Sequence, residues 1–270
     1  VRVAYQPFQT IPRKNLTDES IKSITKKTID YVNDAKEKPK TALKLMGIDL
    51  EASENGSMQN FLYKSILAYP QMLNDIHVQK TMKNALLSER KKAQGSKLIL
   101  SGLWSYICPD LFAFCQWLFL GDDTPEGLVP EGYIYNHYYD NKSLKETCCI
   151  RYPHLSDCEH GIRKVSHLKE CKEWFYGNDT IVSCHDFISK VLQADFDGDH
   201  ICLVHDEAFL NILDRNEYPL YYKMTKAEPA PISNEAIMTC LVSSFFDNEG
   251  IGFVSVSYTH LRAHETGAYL

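Results

Sequence analysis

In the run Gln193-Ala194-Asp195-Phe196-Asp197-Gly198-Asp199-His200, three carboxylates stand at every second position. Alternate positions of an extended segment share a side, so Asp195, Asp197 and Asp199 are predicted to point into one small volume. Carboxylates that close repel and raise one another's pKa unless a cation lies among them. Hard oxygen donors select Mg²⁺, Mn²⁺ or Ca²⁺. Gly198 has no Cβ, which permits a sharp turn and the close approach of a backbone or a phosphate. Val191-Leu192 precedes the run and Ile201-Cys202-Leu203-Val204 follows it. The expectation is a charged loop held between two buried strand-like runs. An EF-hand would place glycine at the sixth position and a bidentate Glu at the twelfth; here these are His200 and Asp206. A solvated acidic turn would have no use for Phe196.

The rest of the chain bounds what surrounds this loop. Its 270 residues, 44% hydrophobic and 24% charged, suit a folded protein with one or two cores. No apolar run has the length that crosses a bilayer, and no signal-peptide pattern is visible. Nine cysteines form no framework and read as reduced thiols in a cytoplasm. Cys148, Cys149, Cys158, His160, Cys171 and Cys184 lack the paired spacing of a zinc site and read as buried small residues. A net charge of −6 runs against the basic footprint of nucleic-acid binding, although a local basic channel in part of a larger protein is compatible with it.

The motif Gln193–His200 (QADFDGDH) resembles the DFDGD magnesium loop in the largest subunit of multisubunit RNA polymerases. It also resembles the equivalent loop of the single-chain, two-barrel polymerases. These include the eukaryotic RNA-silencing enzymes and the DNA-dependent enzymes of phages and prophages, among them those of crAss-like phages. The resemblance implies an α+β fold in which a double-psi β-barrel carries the loop, preceded by a helical connector and followed by helices. It implies that Asp195, Asp197 and Asp199 are catalytic and hold Mg²⁺ in a two-metal nucleotidyl transfer. The implied partners are a DNA template, nascent RNA and nucleoside triphosphates, with no membrane, in the cytoplasm of an infected bacterial host or in the virion.

In chain order, Val1–Tyr5 reads as a strand, and Tyr5–Ile11 as strand and turn. The latter resembles the YQ-x-x-QT stretch that closes the first barrel of the phage type, so residues 1–11 are expected to end a barrel whose upstream part is missing. Thr17, Ser20 and the early acids Asp18 and Glu19 suit a helix start. Ile21, Ile24, Thr28, Ile29 and Val32 would form one apolar face. The lysines on the other face fit either a phosphate track or a solvated surface. A loop is predicted between Gly47 and Gly56, with helices over 58–69 and 73–92, making 12–95 a helical connector.

From Ser96 the texture is that of a small barrel, 96–215: short strands at 97–100, 104–107, 133–138 and 180–183, punctuated by Pro125-Glu126-Gly127 and Pro130-Glu131-Gly132. An aromatic-rich run covers Leu111 to Phe119, strand-like Phe187-Ile188 leads towards the aspartates, and a helix is expected over Glu207–Leu213. Cys148-Cys149-Ile150-Arg151-Tyr152-Pro153 delivers an arginine ahead of a fixed turn. This resembles the R-x-P segment of the superfamily, which implies that Arg151 binds the nucleotide; a structural salt bridge is the alternative. His200 is a candidate to orient the triphosphate or a packing residue. Arg163 and Lys164 are candidates to face nucleic acid, and His154 and His160 read as hydrogen-bonded scaffold.

Residues 216–254 resemble a downstream helical segment of the phage type, through Tyr221-Tyr222-Lys223-Met224, Ala227-Glu228-Pro229, a helix over Asn234–Phe246 and Gly250-Ile251-Gly252. Residues 255–270 read as a non-native tail resembling a translated sequencing adapter. Two other functions share the loop: an RNA-templated polymerase of the silencing type, and a non-catalytic barrel binding structural Ca²⁺.

Overall fold

Short strands separated by turns close here into a ring. The computed structural model describes residues 1–46, 61–154, 156–215 and 233–246. Six strands form a closed barrel in the order β3-β7-β4-β6-β5-β8: β3 (Gly102–Pro109), β4 (Tyr133–Tyr135), β5 (Glu146–Ile150), β6 (Gly161–Val165), β7 (Thr180–Val182) and β8 (His200–Val204). The pairs β3–β7 and β4–β6 are parallel, and the other four are antiparallel. With the helices around it this is the α+β barrel architecture expected from the sequence, and it fits a double-psi barrel.

Strand β8 is the central stave. Ile201, Cys202, Leu203 and Val204 are all inaccessible to solvent, because the strand is buried on both sides. Ile201 and Leu203 enter the barrel interior with Ile107, Ile134, Cys149 and Val182. Cys202 and Val204 face a second core built from Val3, Ile11, Ile24, Leu98, Cys148, Ile150 and Phe209. That double burial is why the run is continuously apolar rather than alternating. β1 (Arg2–Val3) pairs antiparallel with β2 (Leu98–Ile99), outside the barrel.

Several elements differ from expectation, each for a local reason. Residues 6–9 form a helical turn rather than a strand: Pro7 pre-sets the helical φ, and Phe8 and Gln9 donate to the Tyr5 carbonyl at 3.0 and 3.1 Å. The aromatic run is a helix, Leu111–Leu120, whose Asp110 N-cap accepts from the Phe112 and Ala113 amides. β4 stops at Tyr135 because Asn136 caps a helix over His137–Asn141. The segment before the aspartates is not strand-like: Ile188–Val191 is a helical turn. The helix expected over 207–213 spans Glu207–Leu210.

The long helix Asp18–Glu37 starts as predicted, with Thr17 Oγ1 accepting from the Ser20 amide at 3.2 Å. Its buried stripe is Ile24, Thr28 and Ala35, whereas Ile21 and Ile29 are about half exposed. The other helices expected in 12–95 are described over Phe61–Ala68 and Ile76–Gln94. The chain divides into two compact units, Val1–Tyr222 and Lys223–Leu270; in the second, the helix Asn234–Phe246 is present as expected. The predicted loop over 47–56, the stretches around 219–229 and 250–252, and the tail 255–270 lie outside the described residues.

Candidate metal centre

The three aspartates are brought together by a turn, which corrects the expectation of strand alternation. The helix Ile188–Val191 is anchored by buried Ile188 and, just after it, buried Leu192. The chain then reverses through Gln193, at φ 52, and Ala194 donates to the Ser189 carbonyl at 2.8 Å. Gly198 sits at φ 121, and a Cβ there would meet nothing within 4 Å. The glycine is therefore required by backbone conformation rather than by space. From the other side the Ile107 amide of β3 donates to the Asp199 carbonyl at 3.1 Å, fixing the end of the loop to the barrel.

Carboxylate oxygens of Asp195, Asp197 and Asp199 lie within 4.8 Å of one another, with Asp195 and Asp197 exposed and Asp199 half-buried. Asp199 is the organised member. Its Oδ2 accepts from Arg151 Nε at 2.8 Å and from the Asp195 amide at 3.1 Å, and its Oδ1 accepts from Arg151 Nη2 at 3.2 Å. Partial burial pulls its pKa up, but the bonds from Arg151 and the Asp195 amide, with the charges of Arg151 and His200, outweigh burial and leave it lowered. Asp197 goes the other way: a hydrogen bond with Asp195 and the charges of Asp195 and Asp199 hold it above the usual carboxylate value. The mutual raising expected from the sequence thus holds at Asp197 and is reversed at Asp199.

Arg151 and His200 both reach this loop. Arg151 follows β5 directly, so a barrel strand aims its guanidinium at Asp199. His200 opens β8, is exposed, and packs edge-on to Tyr106 with ring centroids 3.8 Å apart, the two residues being register partners of β8 and β3. Tyr106, 50% exposed beside the loop, escaped the sequence reading; the alternation in Trp104-Ser105-Tyr106-Ile107 was the available signal.

Arg163 serves the scaffold. Its Nε and Nη2 donate to Asp186 at 2.6 and 2.8 Å, while Asp186 also accepts from the Ile188 and Gly132 amides. This pair ties β6 to the turn that starts the helix Ile188–Val191. Lys164 is exposed, its ammonium 5.7 Å from the Tyr133 ring centroid. The cysteines and His160 do not gather: among the described residues, the group close enough to hold a metal is the aspartate triad. Burial pushes the Cys149 and Cys202 thiols up to about 12, as inert core groups.

His154 and His160 are buried, as scaffold histidines are expected to be. His154 Nε2 and Thr10 Oγ1 lie 3.0 Å apart, and His160 Nε2 lies 3.0 Å from the Pro7 carbonyl oxygen. Burial first, and the neighbouring His160 second, lower the His154 pKa from 6.5 to about 3. The unfolded chain therefore takes up a proton that the native state refuses. Through His154, stability is kept above pH 6.5 and lost as pH drops towards the native pKa, a loss that the buried Glu159 carboxylate, 3.9 Å from His154 Nδ1, tempers. Urea midpoints at pH 7 and pH 5 will register this loss, and His154→Gln will flatten it.

No family model matches the chain. It is 35% identical over 253 residues to the DNA-directed RNA polymerase YonO of Bacillus phage SPbeta, an alignment covering 92% of this chain and 29% of that protein. The chain thus spans under a third of the length of the curated relative it matches. No described helix is long and apolar enough to cross a membrane.

Proposed function

We propose that this chain, a sequence relative of a phage DNA-directed RNA polymerase, is the metal-holding barrel of a single-chain DNA-dependent RNA polymerase. The observation that carries the reading is the convergence of Asp195, Asp197 and Asp199 within 4.8 Å on a loop welded to a closed barrel. The donor set fits a hard divalent cation: three carboxylate ligands are available, and Asp197 is held up by the negative charge around it, a deficit that a cation would relieve. When bound, Mg²⁺ lowers the pKa of an RNA 3′-hydroxyl and neutralises charge on the triphosphate and the departing pyrophosphate.

The chain's own residues supply position. Asp195, Asp197 and Asp199 hold the metals, and buried β8 and the Gly198 turn fix where those carboxylates stand. Arg151 and His200, both at the loop, bind and orient the incoming nucleotide, and exposed Lys164 is a weaker candidate contact for nucleic acid. The DNA template, the nascent RNA and the nucleoside triphosphates are the partners in this reading, and the infected bacterial cell is its setting. Residues 1–11 close a first barrel, 12–95 connect, 96–215 form the catalytic barrel, and 216–254 follow as a downstream segment.

The test is labelled nucleotide incorporation by the longer polypeptide that carries this chain, on single-stranded DNA and RNA templates with Mg²⁺, comparing wild type with Asp197→Ala. Incorporation on DNA that disappears in the variant is the expected result. Incorporation on RNA alone would assign the chain to the silencing type. No incorporation on either template, with Ca²⁺ still bound, would leave a structural calcium loop.

A further inference from the structure

Asp199 differs from its two neighbours in that both of its oxygens already accept hydrogen bonds, three in all, out of the roughly four lone-pair sites of a carboxylate. Arg151 Nε and Nη2 grip Oδ2 and Oδ1 at 2.8 and 3.2 Å, and the Asp195 amide adds a third bond at 3.1 Å. With the Asp195 amide, this guanidinium fork leaves a cation about one open lone pair on the carboxylate, beside a fixed positive charge. The grip is not a chance encounter of mobile side chains. Arg151 leaves β5 where Ile150 is paired with Cys202 of β8, and Asp199 enters β8 two residues before Ile201. Both ends are set by one barrel, and the two side chains are only 23% and 21% exposed. A divalent ion approaching Asp195 and Asp197 therefore meets a third ligand bound to a fixed positive charge.

We infer that Arg151 is a clamp on Asp199, which weakens metal binding while the nucleotide is absent and releases the carboxylate when a triphosphate draws the guanidinium away. Metal and triphosphate then bind cooperatively through one side chain that cannot serve both Asp199 and the nucleotide. By linkage, the factor by which the triphosphate tightens the metal equals the factor by which the metal tightens the triphosphate. This rests on the reading of the three aspartates as metal ligands. Without nucleotide Arg151 acts through Asp199, and once released it binds the nucleotide.

The probe is Mn²⁺ alone, followed by its electron paramagnetic resonance signal on the full chain without nucleotide. Arg151→Gln removes the charge and the fork, and is expected to tighten Mn²⁺ by about 5- to 10-fold. Arg151→Lys keeps the charge but cannot grip both oxygens, and is expected to tighten it by about 2-fold. It also carries the test if the glutamine variant does not fold, as judged by thermal melting. Adding a non-hydrolysable nucleoside triphosphate, with the metal–nucleotide complex subtracted, should tighten Mn²⁺ on the wild type and do so less on either variant. Unchanged or weaker Mn²⁺ binding in the folded variants, with the wild type binding normally, overturns the clamp and leaves the metal centre standing. No Mn²⁺ binding to any form overturns the metal centre, and the clamp with it.

Discussion

Asp197→Asn is expected to weaken Mn²⁺ binding by about 100-fold or more while leaving the melting temperature unchanged or slightly raised. The two halves of this result come from one cause. Asp197 is fully exposed and is pushed up by its hydrogen bond with Asp195 and by the charges of Asp195 and Asp199, so in the metal-free chain it contributes repulsion rather than cohesion. Asparagine removes that repulsion, but it also exchanges an anionic donor for a single neutral oxygen in a site whose affinity depends on the number of charged ligands. In the longer polymerase the same change should cut nucleotide incorporation by about 1,000-fold or more, because metal stabilisation of the transition state is worth several kcal/mol. Metal titration and a melting curve on the same sample check both halves. A drop of several degrees in the melting temperature would mean that Asp197 supports the fold, against the repulsion argued here.

Asp110→Ala should be among the most damaging single changes to stability, at about 3–5 kcal/mol. Asp110 is 2% exposed and accepts four backbone amides: Phe112 and Ala113 on Oδ1, Leu128 and Val129 on Oδ2. One side chain thus caps the helix Leu111–Leu120 and fastens the loop that leads into β4. Alanine would strand all four donors, two of them at a helix start and two in the loop. Asp110→Asn keeps one acceptor oxygen and turns an NH₂ towards the other amide pair, so it should cost roughly half as much. Urea denaturation of both variants measures the ladder. An asparagine variant as stable as wild type would show that the Leu128 and Val129 bonds contribute nothing.

The acidic loop was legible because three aspartates at alternate positions beside a glycine stand out by residue type and spacing. The barrel was legible for a similar reason: short strands, expected at 133–138 and 180–183 and found at 133–135 and 180–182, with Pro-Glu-Gly turns ahead of the first, suggest a small barrel. The helix Leu111–Leu120 hid because it is apolar on nearly every face and so has no period to read. Asp110 at its start and Gly121 just past its end were its announcements. Long-range pairs were invisible in principle. Nothing in one sequence says that Arg163 meets Asp186, or that Arg151 grips Asp199 across 48 positions, since each pairing exists only once the barrel has closed. The misjudged local mechanism at the aspartates has the same origin: alternation is the default for an extended run, and only the closed structure shows Gly198 turning the chain instead.

The antiparallel ladder between β3 and β8 also fixes when the site can come into being. It joins Gly102–Tyr106 to His200–Val204, so the ring is completed by its last strand pairing with its first. Contacts between residues so distant in the chain are slow to form, because loop-closure entropy is lost before they give anything back. During synthesis the aspartates emerge next to β8 itself, and Arg151 has already left the ribosome with nothing yet to hold. The grip of Arg151 on Asp199 therefore exists only once the ring has closed. Before closure the three aspartates are an ordinary acidic segment, without the guanidinium that orders Asp199 in the finished barrel.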